Sequence, residues 1–138
     1  MGLEVTGFDE LIEQLEKLSD QSRVEEIAKK AVEAATPTAV DAVRSAVGAS
    51  EYGPYATGSV AASVAATPAK INSFGVFAVA KPSGHDRKGK SNVYKAQILE
   101  YGNSKLGARP WRARAVSSAE SQCIKIMEQI IKSEMDAD

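Results

Sequence analysis

The sequence predicts an α+β fold in which helices at both ends of the chain pack around a small antiparallel β-sheet. Apolar residues recur every three or four positions over residues 8–47 and 111–135, which is typical of amphipathic helices. Residues 64–80 between them contain short β-rich runs separated by turn residues. The 138 residues fit one domain, residues 1–138, which is large enough to need no disulfide or metal for support.

The first third of the chain is predicted to be mainly helical. Residues 3–7 alternate as a short strand that ends at a glycine. Helical spacing then runs over residues 8–18 and, after a polar break, over an alanine-rich stretch to residue 47. Pro37 interrupts this stretch, so we expect either a kink or a new helix that begins there with Thr36 as its cap.

The middle of the chain alternates strands and loops. Residues 64–71 and 74–80 are predicted to pair, with a turn near residues 72–73. Because both faces of the second run are fairly apolar, it is expected to be a central strand. Residues 81–92 hold no apolar residue except a proline, which predicts a mobile, basic loop. Residues 93–101 suit either a strand or a helix, and the spacing of their tyrosines favours a helix.

The last helix, residues 111–135, has the strongest pattern in the chain. Its apolar stripe is predicted to contain Val116, Ala119, Cys123, Ile126 and Ile130, widened by Met127 and Ile131. The position of Cys123 on this stripe indicates a buried small side chain and not a reactive thiol.

Charge is distributed unevenly along the chain. The net charge of −1 divides into −6 for residues 1–51, +8 for residues 52–114 and −3 for residues 115–138. This segregation favours head-to-tail contact between copies, or contact with phosphate. The alternative is that the segments interleave in the fold and their fields average out.

The sequence contains no recognisable catalytic or metal-binding pattern. One histidine, His85, and one cysteine cannot complete a metal site, and the glycines are not spaced as a phosphate-binding loop. We therefore expect a protein that is not an enzyme and holds no cofactor. No apolar run approaches the roughly 20 residues that cross a bilayer, and the acidic N-terminus does not resemble a secretory signal. These features predict synthesis in the cytoplasm and no membrane partner.

One group of basic residues lies in or beside the predicted loop: Lys81, Arg87, Lys88 and Lys90. These side chains are candidates for contact with a nucleic-acid backbone or with a neighbouring copy. A solvated loop is the favoured interpretation, because sequence-specific readout needs more than scattered charge.

A second group surrounds the single tryptophan: Arg109, Trp111, Arg112 and Arg114. Tryptophan and arginine are frequent in interface hot spots, so Trp111 and Arg112 are candidates for contact with a partner. The alternative, which is compatible with the first, is that Trp111 anchors the last helix while the arginines face water.

Three segments carry a resemblance to a known family. Residues 57–64 read Thr-Gly-Ser-Val-Ala-Ala-Ser-Val, and residues 94–105 read Tyr-Lys-Ala-Gln-Ile-Leu-Glu-Tyr-Gly-Asn-Ser-Lys before Ala-Arg-Pro-Trp at 108–111. With the opening Gly-Phe-Asp-Glu-Leu at 7–11, they resemble the tail-completion, or head–tail joining, proteins of long-tailed phages and prophages. Element order included, the resemblance spans about residues 3–131.

The resemblance rests on particular residues in the two longer segments. The first is similar to the family's Thr-Gly, aliphatic, Ser-aliphatic pattern through Thr57 and Gly58. The second is similar to its Glu-aromatic-Gly-Thr turn and its small-Arg-Pro-aromatic helix start, through Glu100, Tyr101, Gly102, Arg109, Pro110 and Trp111. The chain departs from the family at Asn103, where threonine is usual, at Trp111, where phenylalanine is usual, and at Pro37 in the long helix.

The resemblance implies a structural role in virion assembly. Copies of the chain are expected to form a ring, a hexamer by analogy, between a head connector and the tail tube, with DNA in the lumen as a further contact. The implied location is the host cytoplasm during assembly and then the virion neck. We also expect Glu100 to pair with Arg109 and so fix the turn that positions Trp111. The alternatives are a head-side connector or minor capsid adaptor, a small nucleic-acid-binding protein and, least favoured, a hydrolase with an unrecognised site.

Overall fold

The computed structural model describes residues 21–51, 58–73 and 75–136. The predicted strand at 3–7, the predicted helix at 8–18 and Thr57 lie outside these residues. The helices are α1 (Gln21–Ser50), α2 (Ser59–Ala62), α3 (Asn92–Tyr101) and α4 (Arg112–Asp136). The strands are β1 (Ala65–Ala66), β2 (Lys70–Asn72), β3 (Gly75–Phe77) and β4 (Ala80–Lys81). The predicted α+β class is confirmed, and residues 93–101 are helical as favoured.

The long helix α1 continues through Pro37 and ends at Ser50. The predicted alternative of a new helix capped by Thr36 is therefore wrong. The Thr36 hydroxyl instead donates to the carbonyl of Val32, one turn earlier, at 2.8 Å. Pro37 has no N–H to offer to the carbonyl of Glu33, but both residues are exposed, so water can satisfy that carbonyl.

Helices α1 and α4 pack side by side and antiparallel, because Arg23 near the start of α1 contacts Glu134 near the end of α4 at 3.1 Å. Their shared core contains several small side chains, which allow the two backbones to approach closely. Its buried members are Ile27, Ala31, Ala35, Ala119, Cys123, Met127 and Ile131. The buried stripe of α4 contains every fourth residue from 115 to 131. Its centre thus differs by one position from the prediction, and the predicted members Val116, Ile126 and Ile130 are only partly buried.

A second buried cluster joins the other end of the helix pair to α2, α3 and the sheet region. Trp111 is its largest member, and the rest are Val43, Ala46, Val47, Val60, Val64, Ala96 and Ala115. Helices α2 and α3 each bury only one residue in this cluster, so the tryptophan provides much of the apolar surface that holds them to the helix pair.

The β-structure is one long antiparallel hairpin divided into two short ladders, β1 with β4 and β2 with β3. The predicted pairing and turn are confirmed. Lys70 is paired with Phe77, and Thr67 is hydrogen-bonded to Val79. Between these two pairs the first arm advances three residues, from Thr67 to Lys70, whereas the second arm advances only two, from Phe77 to Val79. The first arm therefore has one extra residue, as in a β-bulge, and Pro68, which has no N–H to donate, lies in this interruption.

Among the described residues, the expectation of a central strand at residues 74–80 is not met. Each ladder there has only two strands, so β3 has a strand beside it on one edge only. The exposed fractions of Ile71 and Phe77 are 45% and 36%. The apolar character of both faces was read correctly: β3 packs beside α1, and apolar side chains of the hairpin remain partly exposed.

Candidate interaction surfaces

The junction between α3 and α4 contains most of the residues singled out in the sequence. The side chain of Glu100, at the end of α3, accepts hydrogen bonds from the backbone N–H groups of Trp111 at 2.8 Å and Arg112 at 3.1 Å. The first N–H groups of a helix have no partner inside it. Glu100 therefore caps α4 from the end of the preceding helix, and its negative charge also suits the positive end of the helix dipole.

Gly102 makes the turn between the two helices possible. Its φ of 74° lies in the left-handed region, and its N–H donates to the carbonyl of Ile98 at 2.7 Å. A Cβ at this position would lie 2.8 Å from both the backbone nitrogen of Ala108 and the carbonyl oxygen of Leu106. The loop folds so closely over Gly102 that no larger residue fits.

The turn is fixed by Glu100, as predicted, but not through the expected partner. We expected an ion pair with Arg109. Instead the Glu100 carboxylate holds the start of α4, while Arg109 donates from its backbone to the Leu99 carbonyl at 2.6 Å and from its guanidinium to the Ser50 carbonyl at 3.5 Å. Arg109 thus connects the turn to the end of α1. Pro110 follows it, exposed, and stands just before the helix start.

Trp111 is an internal anchor. Its exposed fraction is 2%, and its indole N–H donates to the carbonyl of Ala96 in α3 at 3.0 Å. A side chain buried in this way is not available to a partner. Of the two interpretations offered for Trp111, the structure agrees with the one in which it anchors the last helix.

Next to the anchor lies an exposed surface that we call the tyrosine face: Tyr94, Tyr101, Leu106 and Arg112. The two tyrosines are seven residues apart on α3 and therefore lie on one side of it; they are 63% and 68% exposed, and Leu106 is 52% exposed. Arg112 donates to the Tyr101 hydroxyl at 2.7 Å, and its guanidinium carbon lies 5.5 Å and 5.4 Å from the ring centres of Tyr101 and Trp111. Stacking of this kind holds the arginine in place beside the exposed aromatic ring.

The predicted basic loop is shorter than residues 81–92, because Lys81 belongs to β4 and residue 92 begins α3. What remains includes a tight turn, which we call the basic turn, residues 84–91. The Asp86 carboxylate accepts from the backbone N–H groups of Lys88 and Lys90, both at 2.9 Å, and pairs with the ammonium group of Lys95. The predicted mobility of this region stays a prediction.

The electrostatics of the basic turn follow from these contacts. The hydrogen bond from Lys95, followed by the backbone N–H of Lys90, lowers the pKa of Asp86 from 3.8 to about 2. The Asp86 charge is therefore used inside the turn. Arg87, Lys88 and Lys90 are exposed around it, which gives the turn an outward positive charge.

The segment that contains Gly58 has a structural role. Gly58 has a φ of 77° and begins the short helix α2, whose Val60 is buried. The hydroxyl of Ser63, just after that helix, accepts from the backbone N–H of Ser83, and the Ser83 hydroxyl donates to the Ser63 carbonyl at 2.8 Å. These bonds tie the segment to the strand that leads into the basic turn.

The outer ladder of the hairpin, residues 70–77, forms a two-stranded ribbon that we call the β-arm, and its strand β3 packs beside α1. Lys70 is paired with Phe77, so their side chains lie on one face, and Ile71 is paired with Val76 on the other. Sequence reasoning did not select Ile71 or Phe77 as interface residues. The signal that could have found them was the two apolar faces of the strand at residues 74–80. A two-stranded hairpin is too small to have both of its faces buried, so one of these faces could have been predicted to be exposed.

In the described ranges, no group of three or more His, Cys, Asp or Glu is placed to hold a metal ion. No helix of this part of the chain is long and apolar enough to cross a membrane. Comparison with known protein families, with curated proteins and with solved structures found no match to this chain. The fold and surfaces therefore define a small α+β protein with a tightly held core and exposed apolar elements on its outside.

Proposed function

We propose that this protein is a structural subunit of virion assembly, whose copies associate into a ring at the head–tail junction of a long-tailed phage or prophage. The observation that carries the proposal of association is the β-arm, where Ile71 and Phe77 stay partly exposed on opposite faces. The resemblance of residues 57–64 and 94–111 to tail-completion proteins supports the more specific assignment to the neck.

Physical reasoning about the β-arm favours association. A two-stranded ribbon is marginally stable by itself in water. Each Å² of apolar surface removed from water contributes about 25 cal/mol, and a second copy of the chain can provide that cover. Both outer edges of the ribbon also carry backbone groups with no strand beside them among the described residues, a situation that commonly leads to pairing with another chain.

The tyrosine face gives independent support. Exposed tyrosine and arginine are the residue types that contribute most to protein interfaces. Arg112 is already held against the ring of Tyr101, so a partner would order few side chains on binding this face. The two exposed surfaces lie on different elements, as a head-to-tail contact between identical subunits requires.

Sedimentation velocity across a wide concentration range tests the proposal. We expect the wild-type chain to associate as concentration rises, and Phe77→Thr, which keeps a strand-forming residue, to weaken each contact about fivefold. Val93→Thr is the matched control, because Val93 is an apolar residue of similar exposure (43%) outside the β-arm. Identical sedimentation of the wild type and Phe77→Thr at every concentration would contradict the proposal.

The basic turn favours a second candidate function, contact with a nucleic-acid backbone. Asp86 organises the turn from within and leaves Arg87, Lys88 and Lys90 exposed. Binding to mixed-sequence DNA should then weaken with salt, and the combined change of Lys88 and Lys90 to alanine should reduce the slope of log affinity against log salt by about 2. Undetectable binding at low salt would exclude this candidate.

A further inference from the structure

We propose that the β-arm of one copy is the docking site for residues 1–20 of the neighbouring copy. The inference rests on the proposed ring and names the joint within it. The receiving surface is the face of the β-arm that carries Lys70 and Phe77. The occupant is the segment that precedes α1 and lies outside the described residues.

Charge complementarity is the first argument. Residues 1–20 hold one Lys or Arg and six Asp or Glu, a net charge of −5. The described residues hold 16 Lys or Arg and 11 Asp or Glu, a net charge of +5. The hairpin lies in a stretch, residues 52–85, that contains two lysines and no acidic residue. Opposite charge on the two segments guides their encounter and favours this pairing over others.

The arrangement of apolar residues is the second argument. The helical spacing predicted for residues 8–18 places its five apolar residues on one stripe, with acidic residues beside them: Phe8, Leu11, Ile12, Leu15 and Leu18, flanked by Asp9, Glu10, Glu13 and Glu16. On the β-arm, Lys70 lies directly opposite Phe77 on the same face. The apolar stripe of residues 8–18, with its neighbouring carboxylates, would thus contact Phe77 and the lysine beside it.

The shape of the β-arm is the third argument. Asn72 and Gly75 form the next pair on the face of Phe77. Apart from its two chain neighbours, a Cβ built on Gly75 would meet no described atom within 4 Å, and Gly75 itself places no side chain beside Phe77. A helix can lay its apolar stripe against an exposed apolar surface of this kind.

Complementation between two full-length variants tests the joint. Leu11→Gln with Leu15→Gln removes the apolar stripe of the donor segment while keeping its helical propensity; Phe77→Thr removes the receiving ring. At the lowest concentration at which the wild type associates, we expect each variant alone to sediment as a monomer, because its joint is weakened by about fivefold or more. An equimolar mixture should form a 1:1 dimer and nothing larger, because each pair then has one intact joint. Val93→Thr is again the control and should sediment as the wild type does.

Each outcome decides the inference. If the Leu11/Leu15 variant associates like the wild type while Phe77→Thr does not, the ring proposal stands and the docking of residues 1–20 is wrong. If both variants lose association but their mixture does not complement, the segment acts within its own chain and the inference is overturned. If the wild type is monomeric throughout, a labelled peptide of residues 1–20 is titrated against it. Binding that Phe77→Thr weakens about fivefold upholds the joint, whereas no binding, or equal binding to both proteins, refutes it.

Discussion

Removal of the Glu100 carboxylate should destabilise the protein by loosening the start of α4. In Glu100→Ala the backbone N–H groups of Trp111 and Arg112 lose their acceptor, and Trp111 is too deeply buried for water to replace it. Each charge-assisted hydrogen bond contributes about 1.5 kcal/mol when one partner is partly exposed. We therefore expect the free energy of unfolding to fall by about 2–3 kcal/mol, and Tm to fall by about 8–10 °C for a domain of this size.

The substitution Glu100→Gln separates hydrogen bonding from charge. The amide keeps one acceptor oxygen but has no charge to interact with the helix dipole, so we expect a loss of about 1 kcal/mol. Asp41→Ala is the control: its carboxylate is 79% exposed and lies 4.0 Å from Arg44, so its removal should change stability by less than about 0.5 kcal/mol.

Urea unfolding followed by tryptophan fluorescence measures these changes directly, because Trp111 is the only tryptophan and adjoins the capped helix start. The midpoint should shift without a change in slope if only stability is altered. The proposed cap would be refuted by a Glu100→Ala protein within about 0.5 kcal/mol of the wild type, which is below the cost of two lost bonds.

Three further predictions follow from the described contacts. Gly102→Ala should cost about 3 kcal/mol or prevent folding, because the new Cβ meets backbone atoms at 2.8 Å, whereas Gly84→Ala, with a φ of 67° and open space around it, should cost about 1 kcal/mol in thermal unfolding. Burial raises the pKa of the Cys123 thiol. A thiol-specific reagent at pH 8 should therefore label Cys123 only after denaturation. Rapid labelling of the folded protein would show that the helix pair is open. The pKa of Asp86 is lowered to about 2, so its stabilising contribution is complete above about pH 4 and is lost as the pH falls toward 2. The difference in unfolding free energy between the wild type and Asp86→Asn should therefore decrease over that range. A constant difference from pH 6 to pH 2 would contradict this origin of the pKa shift.

The helices were predictable from the sequence because their signals are local. The periodicity of residues 111–135 located α4 to within one residue at each end. It misplaced the centre of the buried stripe because alanines count little in a hydrophobic pattern, although Ala115 and Ala119 are each only 1% exposed. Pro37 misled in the opposite direction: its breaking effect is local, but tertiary packing along the whole of α1 keeps the helix continuous.

The contacts of the candidate residues were less predictable, because they depend on distances between distant parts of the chain. The sequence indicated that Glu100, Gly102 and Trp111 act together, and they do. It could not show that the Glu100 carboxylate would bind the backbone N–H groups at the start of α4 and not the Arg109 side chain, since these two possible partners lie a few residues beyond the same turn. The apolar faces of β3 were visible in the sequence, but whether a third strand covers them is a property of the whole fold.

The antiparallel helix pair also sets a length. Arg23 meets Glu134 at one extremity, and Trp111 directly precedes α4 at the other, so Arg23 and the tryptophan anchor are separated by nearly the full rise of α4, about 37 Å for 25 residues. With alanine and cysteine in close contact along it, this pair behaves as a stiff rod. In a closed assembly joined through its N-terminal segments, that rod would act as the spacer between successive joints and so govern the width of the central opening.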